Sequence, residues 1–500
     1  MSPRAQLLLV LLATVAVFAP DPAAVFVWDD LDLIAKNAFV ADWRNLPLFF
    51  TVDLWHGVPG EHTTTFYRPL MQVELLLDRT LFGLNPAAHQ VHSLAWHLLA
   101  TSLLWGLLKG RFPRGAVLGA ALFALHPFQG EVARFVAARN DTMAIAGVLG
   151  CWLLAKKNPA ASAAVLLLAL FSKETALLAL PGWLLWERGP PPRKTMIGWG
   201  VAVAVYALLR TLVDLDAPAL TLQNAGEAAG YYAGCLISPV YCNPALSPAT
   251  VQMQPEAQVS FALLVGLLAW RGRRGVAFAL LAAVPGVLAA TMSEGLGHRY
   301  MLFTLMGLAW AWAATLQAVP RVWPAWLLLP ILAVGSREML PRWADTATLW
   351  IEANNLHSSQ RSRCGAFKAL EERGDADAEA GLYLKLALPE PHCCYNASRY
   401  WLERDRPEDA VMLGRVALFE GCAPEPNLMA PLALAEALEG DWYAAEQHAG
   451  NGLDPYGYGP IVLSAAALRR GDDSVLEYWK TQGDGDLESQ VQWVLSEGAP

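Results

Sequence analysis

Long apolar runs separated by short polar connections fill the first two thirds of the chain. After about residue 340 they give way to shorter amphipathic stretches with turn residues between them. Roughly eleven runs are long enough to be read as helices in hydrocarbon, at about 5–25, 87–108, 113–126, 142–156, 160–172, 174–187, 195–213, 257–270, 275–292, 299–318 and 323–338. The first run follows Arg4 and has the outline of a secretory signal. Pro20 directly after the best small-residue site, Val17-Phe18-Ala19, favours a retained anchor instead. The pattern therefore predicts an all-α protein: a polytopic membrane bundle over 1–340 and a separate helical domain over 341–500.

Beyond residue 340 the turns Gly374-Asp375, Arg404-Asp405, Gly440-Asp441 and Gly471-Asp472 recur at about the period of tetratricopeptide repeats. Asn396–Pro424 and Leu428–Pro455 are the best copies. Such a stack would leave a concave face for a peptide or another protein.

Composition sharpens this division. The 500 residues are 55% hydrophobic and 16% charged, which fits a membrane protein. Residues 1–340 carry 23 Lys+Arg against 19 Asp+Glu, and 341–500 carry 13 against 26, a balance that excludes a strongly basic nucleic-acid binder. Basic clusters fall on alternate connections: Arg4, Lys109/Arg111/Arg114, Lys156/Lys157, Arg188/Arg193/Lys194, Arg271/Arg273/Arg274 and Arg321. The positive-inside rule then predicts a cytoplasmic N-terminus and an external, periplasmic or lumenal, C-terminal domain. Six of the seven cysteines, all but Cys151, fall in segments this topology puts outside. Disulfides are allowed there, and Cys235 with Cys242 is the simplest pair.

The same topology gathers polar motifs at the external surface: Trp28-Asp29-Asp30, Tyr67-Arg68, His126 through Asn140-Asp141, Ser172-Lys173-Glu174 and His298-Arg299-Tyr300. Each has an ordinary reading alone. An Asp pair caps helices, Ser172-Lys173-Glu174 starts one, and 128–139 has the stripe of an interfacial helix. Together, near hydrocarbon, they point to a functional cavity. Carboxylates supply a general base, and Arg, Lys and His supply the positive clamp that a phosphate leaving group requires.

The order FVWDDLDLIAKN, FYRPL, ALFALHPFQGEVARFVAARNDTMA, LALFSKETAL and GHRYMLFTLMGLA, followed by repeat-like helices, resembles the transmembrane-and-TPR O-mannosyltransferase family of the glycosyltransferase C superfamily. The resemblance implies transfer of one sugar, typically mannose, from a polyprenyl-phosphate donor to an external hydroxyl with inversion. It makes Asp29 or Asp30 the base, with Asp30 slightly preferred. Arg134, Arg139, Lys173, His298 and Arg299 become donor-phosphate ligands, and Tyr67, Arg68, His126, Glu131, Glu174 and Tyr300 pocket residues. The resemblance fixes no cofactor: some members of the superfamily need a divalent metal and others do not, and the Asp pair is compatible with one without requiring it. The chain departs from the family pattern at Arg134 and in its short, degenerate repeats. Two other readings are a membrane-anchored repeat scaffold for envelope assembly and an O-oligosaccharyltransferase or polysaccharide ligase. The absence of Arg and His from 214–256 disfavours the ligase.

Overall fold

The structure, a computed structural model, describes all residues except 1, 59–63, 214, 216–221, 223, 240–241, 247, 249–250, 252–254, 293–294, 357–361, 363–364, 367–368, 370–397, 400, 403–404, 420–425, 451–456, 482–486 and 498–500. Every regular element among the described residues is helical. Two compact units emerge, Met1–Ser362 and Arg363–Pro500.

The first unit contains α1 Pro3–Phe18, α2 Pro69–Phe82, α3 Pro86–Lys109, α4 Ala116–Leu125, α5 Gln129–Arg134, α6 Arg139–Leu154, α7 Pro159–Ser172, α8 Ala179–Glu187, α9 Arg193–Thr211, α10 Ala225–Cys235, α11 Pro255–Met292, α12 Leu302–Ala318, α13 Leu328–Met339 and α14 Thr346–Leu356. Several begin where local chemistry dictates. In α3 and α7 the side chains of Asn85 and Asn158 accept from the amides of Ala88 and Ala161, and Pro86 and Pro159 occupy the first helical position. There a missing N–H costs nothing and the ring pre-sets φ.

Three helices among the described residues are long and apolar enough to cross a membrane: Pro86–Lys109, Glu256–Met292 and His298–Ala318. Pro3–Phe18, Ala116–Leu125 and Pro159–Ser172 are apolar but shorter. Outward-facing Leu8, Leu12, Ile197, Val201, Leu208, Leu263 and Leu267 are exposed, as side chains turned toward lipid would be. This is a helical membrane protein. The apolar runs at 257–270 and 275–292 form a single hydrogen-bonded element broken at Gly272, whose φ of −102° and ψ of 20° leave the helical region. Leu268 accepts from Thr315 Oγ1 on one arm, while Ala279 on the other packs against Gly307, so both arms lie along α12.

Small residues permit these close crossings. A Cβ on Gly275 would lie 2.5 Å from the Ala311 amide, and one on Gly307 would lie 2.6 Å from the Ala279 amide. At one end of the bundle Arg111 and Lys156 both pair with Glu187, at 3.6 and 2.6 Å. That contact brings together connections whose basic residues are far apart in sequence. Cys235 and Cys242 form a disulfide with a Cα–Cα distance of 5.9 Å, whereas Cys151 is free and buried.

The charge shift placed a boundary near 340, but residues 341–356 fold with the first unit. Trp350 packs edge-on against Trp28, and the Leu349 carbonyl accepts from Asn243 Nδ2. The reason is apolar: Leu340, Trp343, Leu349 and Trp350 are buried, although acidic residues surround them in sequence.

The second unit comprises α15 Pro407–Phe419, α16 Pro426–Leu438, α17 Trp442–Ala449, α18 Tyr458–Arg469, α19 Ser474–Thr481 and α20 Leu487–Glu497. Its turns are built as the sequence suggests. Gly440 and Gly471 take φ of 85° and 81°, and Asp441 caps α17 by accepting from the Ala444 amide. Ala433, Ala437, Ala445, Ala449, Val462 and Ala465 form a core of small side chains between the helices. The turn Gly374-Asp375, Arg404, both ends of 396–424, Pro455, and Cys364, Cys393, Cys394 and Cys422 lie outside the described residues.

Candidate active site

A cavity of about 530 Å³ lies beside the end of α7 and the start of α12. Its polar side is lined by Asp29, Arg68, Asp141, Lys173, Glu174, Arg210 and Arg299. Its apolar side is lined by Ala282, Pro285, Leu288, Ala289 and Met292 of α11 and Phe303 of α12.

The two adjacent aspartates do different things. Asp29 lines the cavity. Asp30 is fully buried, and its carboxylate accepts from the amides of Val136 and Ala137 at 3.0 and 2.7 Å. Burial pushes the Asp30 carboxyl up to about 7, against the downward pull of those amides. A carboxyl near neutrality suits a general base, but a base must first reach the proton it takes. Asp30 instead ties the loop after α1 to the turn between α5 and α6. Trp28, which precedes the pair, has φ of 56°, a conformation that costs a bulky residue roughly 1–3 kcal/mol and is sustained only by its surroundings. Its indole stacks on Phe135 at 5.5 Å, and its amide donates to Thr346 Oγ1 at 2.8 Å.

The cations lining the cavity are each braced. Lys173 follows the last turn of α7 with extended backbone; its Nζ donates to Asp141 Oδ1 at 2.6 Å and lies 5.2 Å from the centre of the Tyr300 ring. Arg299 donates from Nη1 to Glu131 Oε1 at 2.5 Å and lies over Phe135 and Tyr300. The second Glu131 oxygen accepts from the amides of His298 and Arg299, at 2.6 and 3.2 Å, so one buried carboxylate fixes both the side chain and its backbone. Arg68 pairs with Glu174 at 3.4 Å. Arg210 donates from Nη2 to the Thr65 carbonyl, while its Nη1 is buried with no hydrogen-bond partner among the described residues.

Other residues singled out in the sequence stand away from the cavity. Arg139 is sealed against Asp78 at 2.6 Å and also donates to Ser93 Oγ and the His89 carbonyl. Arg134 donates to Gln90 Oε1 and the Ala19 carbonyl. Neither reaches the cavity lining, so the clamp expected from Arg134, Arg139, Lys173, His298 and Arg299 contracts to Lys173 and Arg299. His298 is fully buried, with its ring stacked 4.5 Å from that of Phe128. His126 lines a different, apolar cavity, with Nδ1 accepting from the Phe128 amide. Tyr67 is buried and donates its hydroxyl to the Phe50 carbonyl, whereas Tyr300 lines the cavity.

Asp141, which the sequence reading named only as the end of a polar motif, and Arg210, which it did not select, also line the cavity. Arg210 had a signal. It is the single Lys or Arg between Lys194 and Arg271, set within an apolar run where a charge is costly.

Among the described residues no group of three or more His, Cys, Asp or Glu side chains is placed to hold a metal ion. The Asp30 carboxylate is already engaged by two amides, so the Asp pair does not present two carboxylates to one point. The donor set of the described residues does not fit a divalent ion.

No family model and no curated protein matches this chain. Among solved structures, the arabinofuranosyltransferase AftD from mycobacteria, determined by single-particle cryo-electron microscopy, aligns at 14% identity with a TM-score of 0.38. The alignment covers 69% of this chain and 27% of that one, so the present chain spans about a quarter of its length. The chemistry of the cavity rests on its own side chains.

Proposed function

We propose that the protein is a membrane glycosyltransferase that moves one sugar, mannose in the first instance, from a polyprenyl-phosphate donor to a hydroxyl acceptor on the external face. The observation that carries this reading is the lining of one cavity: a carboxylate, Asp29, together with Arg68, Lys173, Arg210 and Arg299, and apolar side chains of α11 and α12. A phosphate bound to a hydrocarbon chain needs both surfaces. The four cations would receive the phosphate, Arg as a forked donor and Lys as a point charge. The wall formed by Ala282, Pro285, Leu288 and Met292 would take the first isoprene units.

In this mechanism Asp29 accepts the proton of the acceptor hydroxyl as its oxygen bonds to the anomeric carbon. The bond from that carbon to the phosphate oxygen breaks on the opposite face and the configuration inverts. The phosphate leaves with both electrons of that bond, and the cations stabilise the charge as it develops. Asp30 has the structural task of holding Asp29 in place. The second unit, read as tetratricopeptide-like helix pairs, would present the acceptor protein or glycan.

The test is sugar transfer by purified protein reconstituted with polyprenyl-phosphate mannose. Asp29→Asn should lower the rate by about 10²- to 10⁴-fold, the range for losing a positioned base, with unchanged expression and thermal unfolding. Transfer at the wild-type rate by Asp29→Asn would remove Asp29 as the base. No transfer by the wild-type protein from any polyprenyl-phosphate sugar would remove the reading itself.

A further inference from the structure

A second cavity of about 760 Å³ lies where α4, α11, α12 and α13 meet. It shares no lining residue with the site described above. Leu264, Leu268, Leu308, Trp312, Ile331 and Val334 make up much of its surface. Ile331 and Val334 are 66% and 58% exposed, so the groove is open along α13. Two of its walls, α11 and α12, belong to helices apolar enough to cross a membrane, and what faces the opening is therefore hydrocarbon.

Two lining residues can carry charge, His126 and Glu338. His126 is turned inward: Nδ1 accepts from the Phe128 amide and Nε2 lies 3.4 Å from the Leu236 carbonyl. Glu338 is exposed in the last turn of α13. A carboxylate there is opposed by the partial negative charge of the helix C-terminus. Among the described residues it forms no ion pair, although Arg342 nearby in sequence pairs with Glu352. An apolar groove that ends in an acid with no ion-pair partner among the described residues, with the exposed Arg337 beside it in the same last turn, is complementary to a molecule with a hydrocarbon chain and a head that carries both an ammonium and a phosphate.

We propose that this groove seats one acyl chain of a phospholipid whose primary ammonium headgroup pairs with Glu338. A protein helix would not require a cation at that position, and an anionic lipid would be repelled by it. The site does not depend on the transfer reaction, since no residue of the proposed mechanism lines it.

The experiment is native mass spectrometry of the full-length protein released from nanodiscs made with equal parts of phosphatidylethanolamine and phosphatidylglycerol bearing identical chains. Wild-type protein should retain phosphatidylethanolamine about 2- to 5-fold over phosphatidylglycerol, the ratio expected of one exposed ion pair. Glu338→Gln should bring the ratio to unity while retaining lipid. Val334→Trp, which places an indole in the groove, should lose both lipids while unfolding at the wild-type temperature. Equal retention of the two lipids by wild type, a preference that survives Glu338→Gln, or full retention by Val334→Trp would each overturn the proposal. So would a lipid-free dimer as the main species.

Discussion

Two clusters of charge, which meet in sequence only at Arg139 and Asp141, have opposite characters. In one, Arg139 is enclosed by Asp78 and Glu74, with His89 and His92 alongside, and the Arg139 and Asp78 side chains have no exposed surface. In the other, Lys173 and Arg299 are braced by Asp141 and Glu131 but line a cavity. The residue types are the same. The first cluster has satisfied its charges among α2, α3 and α6 and leaves nothing for a ligand. The second holds its cations in place and still presents them. A buried arginine is evidence for a site only once the place its guanidinium faces is known.

The largest effect that separates the clusters is in stability. Arg139→Ala should destabilise the protein by about 3–5 kcal/mol, because it leaves Asp78 buried with only His89 and His92 beside it. Thermal unfolding in detergent reads this, and a loss below 1 kcal/mol would mean that the enclosed cluster is not structural. Asp30→Asn should cost about 1–3 kcal/mol, since an amide can accept from only one of the two N–H groups the carboxylate holds.

The same variant separates the two aspartates by pH. The folded-state value of Asp30 lies near 7, above its ordinary 3.8. The folded protein therefore holds that proton more tightly than the unfolded chain does. Its contribution is full below about pH 3.8 and is lost as pH rises toward 7. The slope of stability against pH across this window should flatten in Asp30→Asn. An unchanged slope would show that another group sets it.

The smallest stability change belongs to the cavity. The Arg68–Glu174 pair is partly exposed, and Arg68→Ala should cost no more than about 1 kcal/mol. The same change should raise the donor KM roughly tenfold, as expected when one charge-assisted hydrogen bond to phosphate is removed. Destabilisation equal to that of Arg139→Ala would erase the distinction between the clusters.

Much of the architecture can be read from the chain. Apolar runs of sufficient length, Asn-Pro helix starts and Gly-Asp turns each specify structure locally, and α3, α7 and α17 begin where those signals fall. The site was only partly legible. Lys173 and Arg299 could be picked out as costly charges near apolar segments. That Arg139 would find Asp78 across a helix pair, or that Asp30 would turn inward and Asp29 outward, depends on partners more than 60 or 100 residues away. The boundary at 340 misled because net charge records the solvated surface, whereas Trp343 and Trp350 record where the chain is buried.

That boundary has a practical consequence at Trp28. Its left-handed backbone holds Asp29 at the cavity, and two of its supports, Thr346 and Trp350, arrive more than 300 residues later. A chain cut at the composition change would keep every apolar helix through α13 and every cavity-lining side chain, yet lose what secures the loop beneath Asp29. The membrane bundle does not end where its hydrophobicity ends: α14 belongs to it, as a clasp closed late in synthesis on a loop made early.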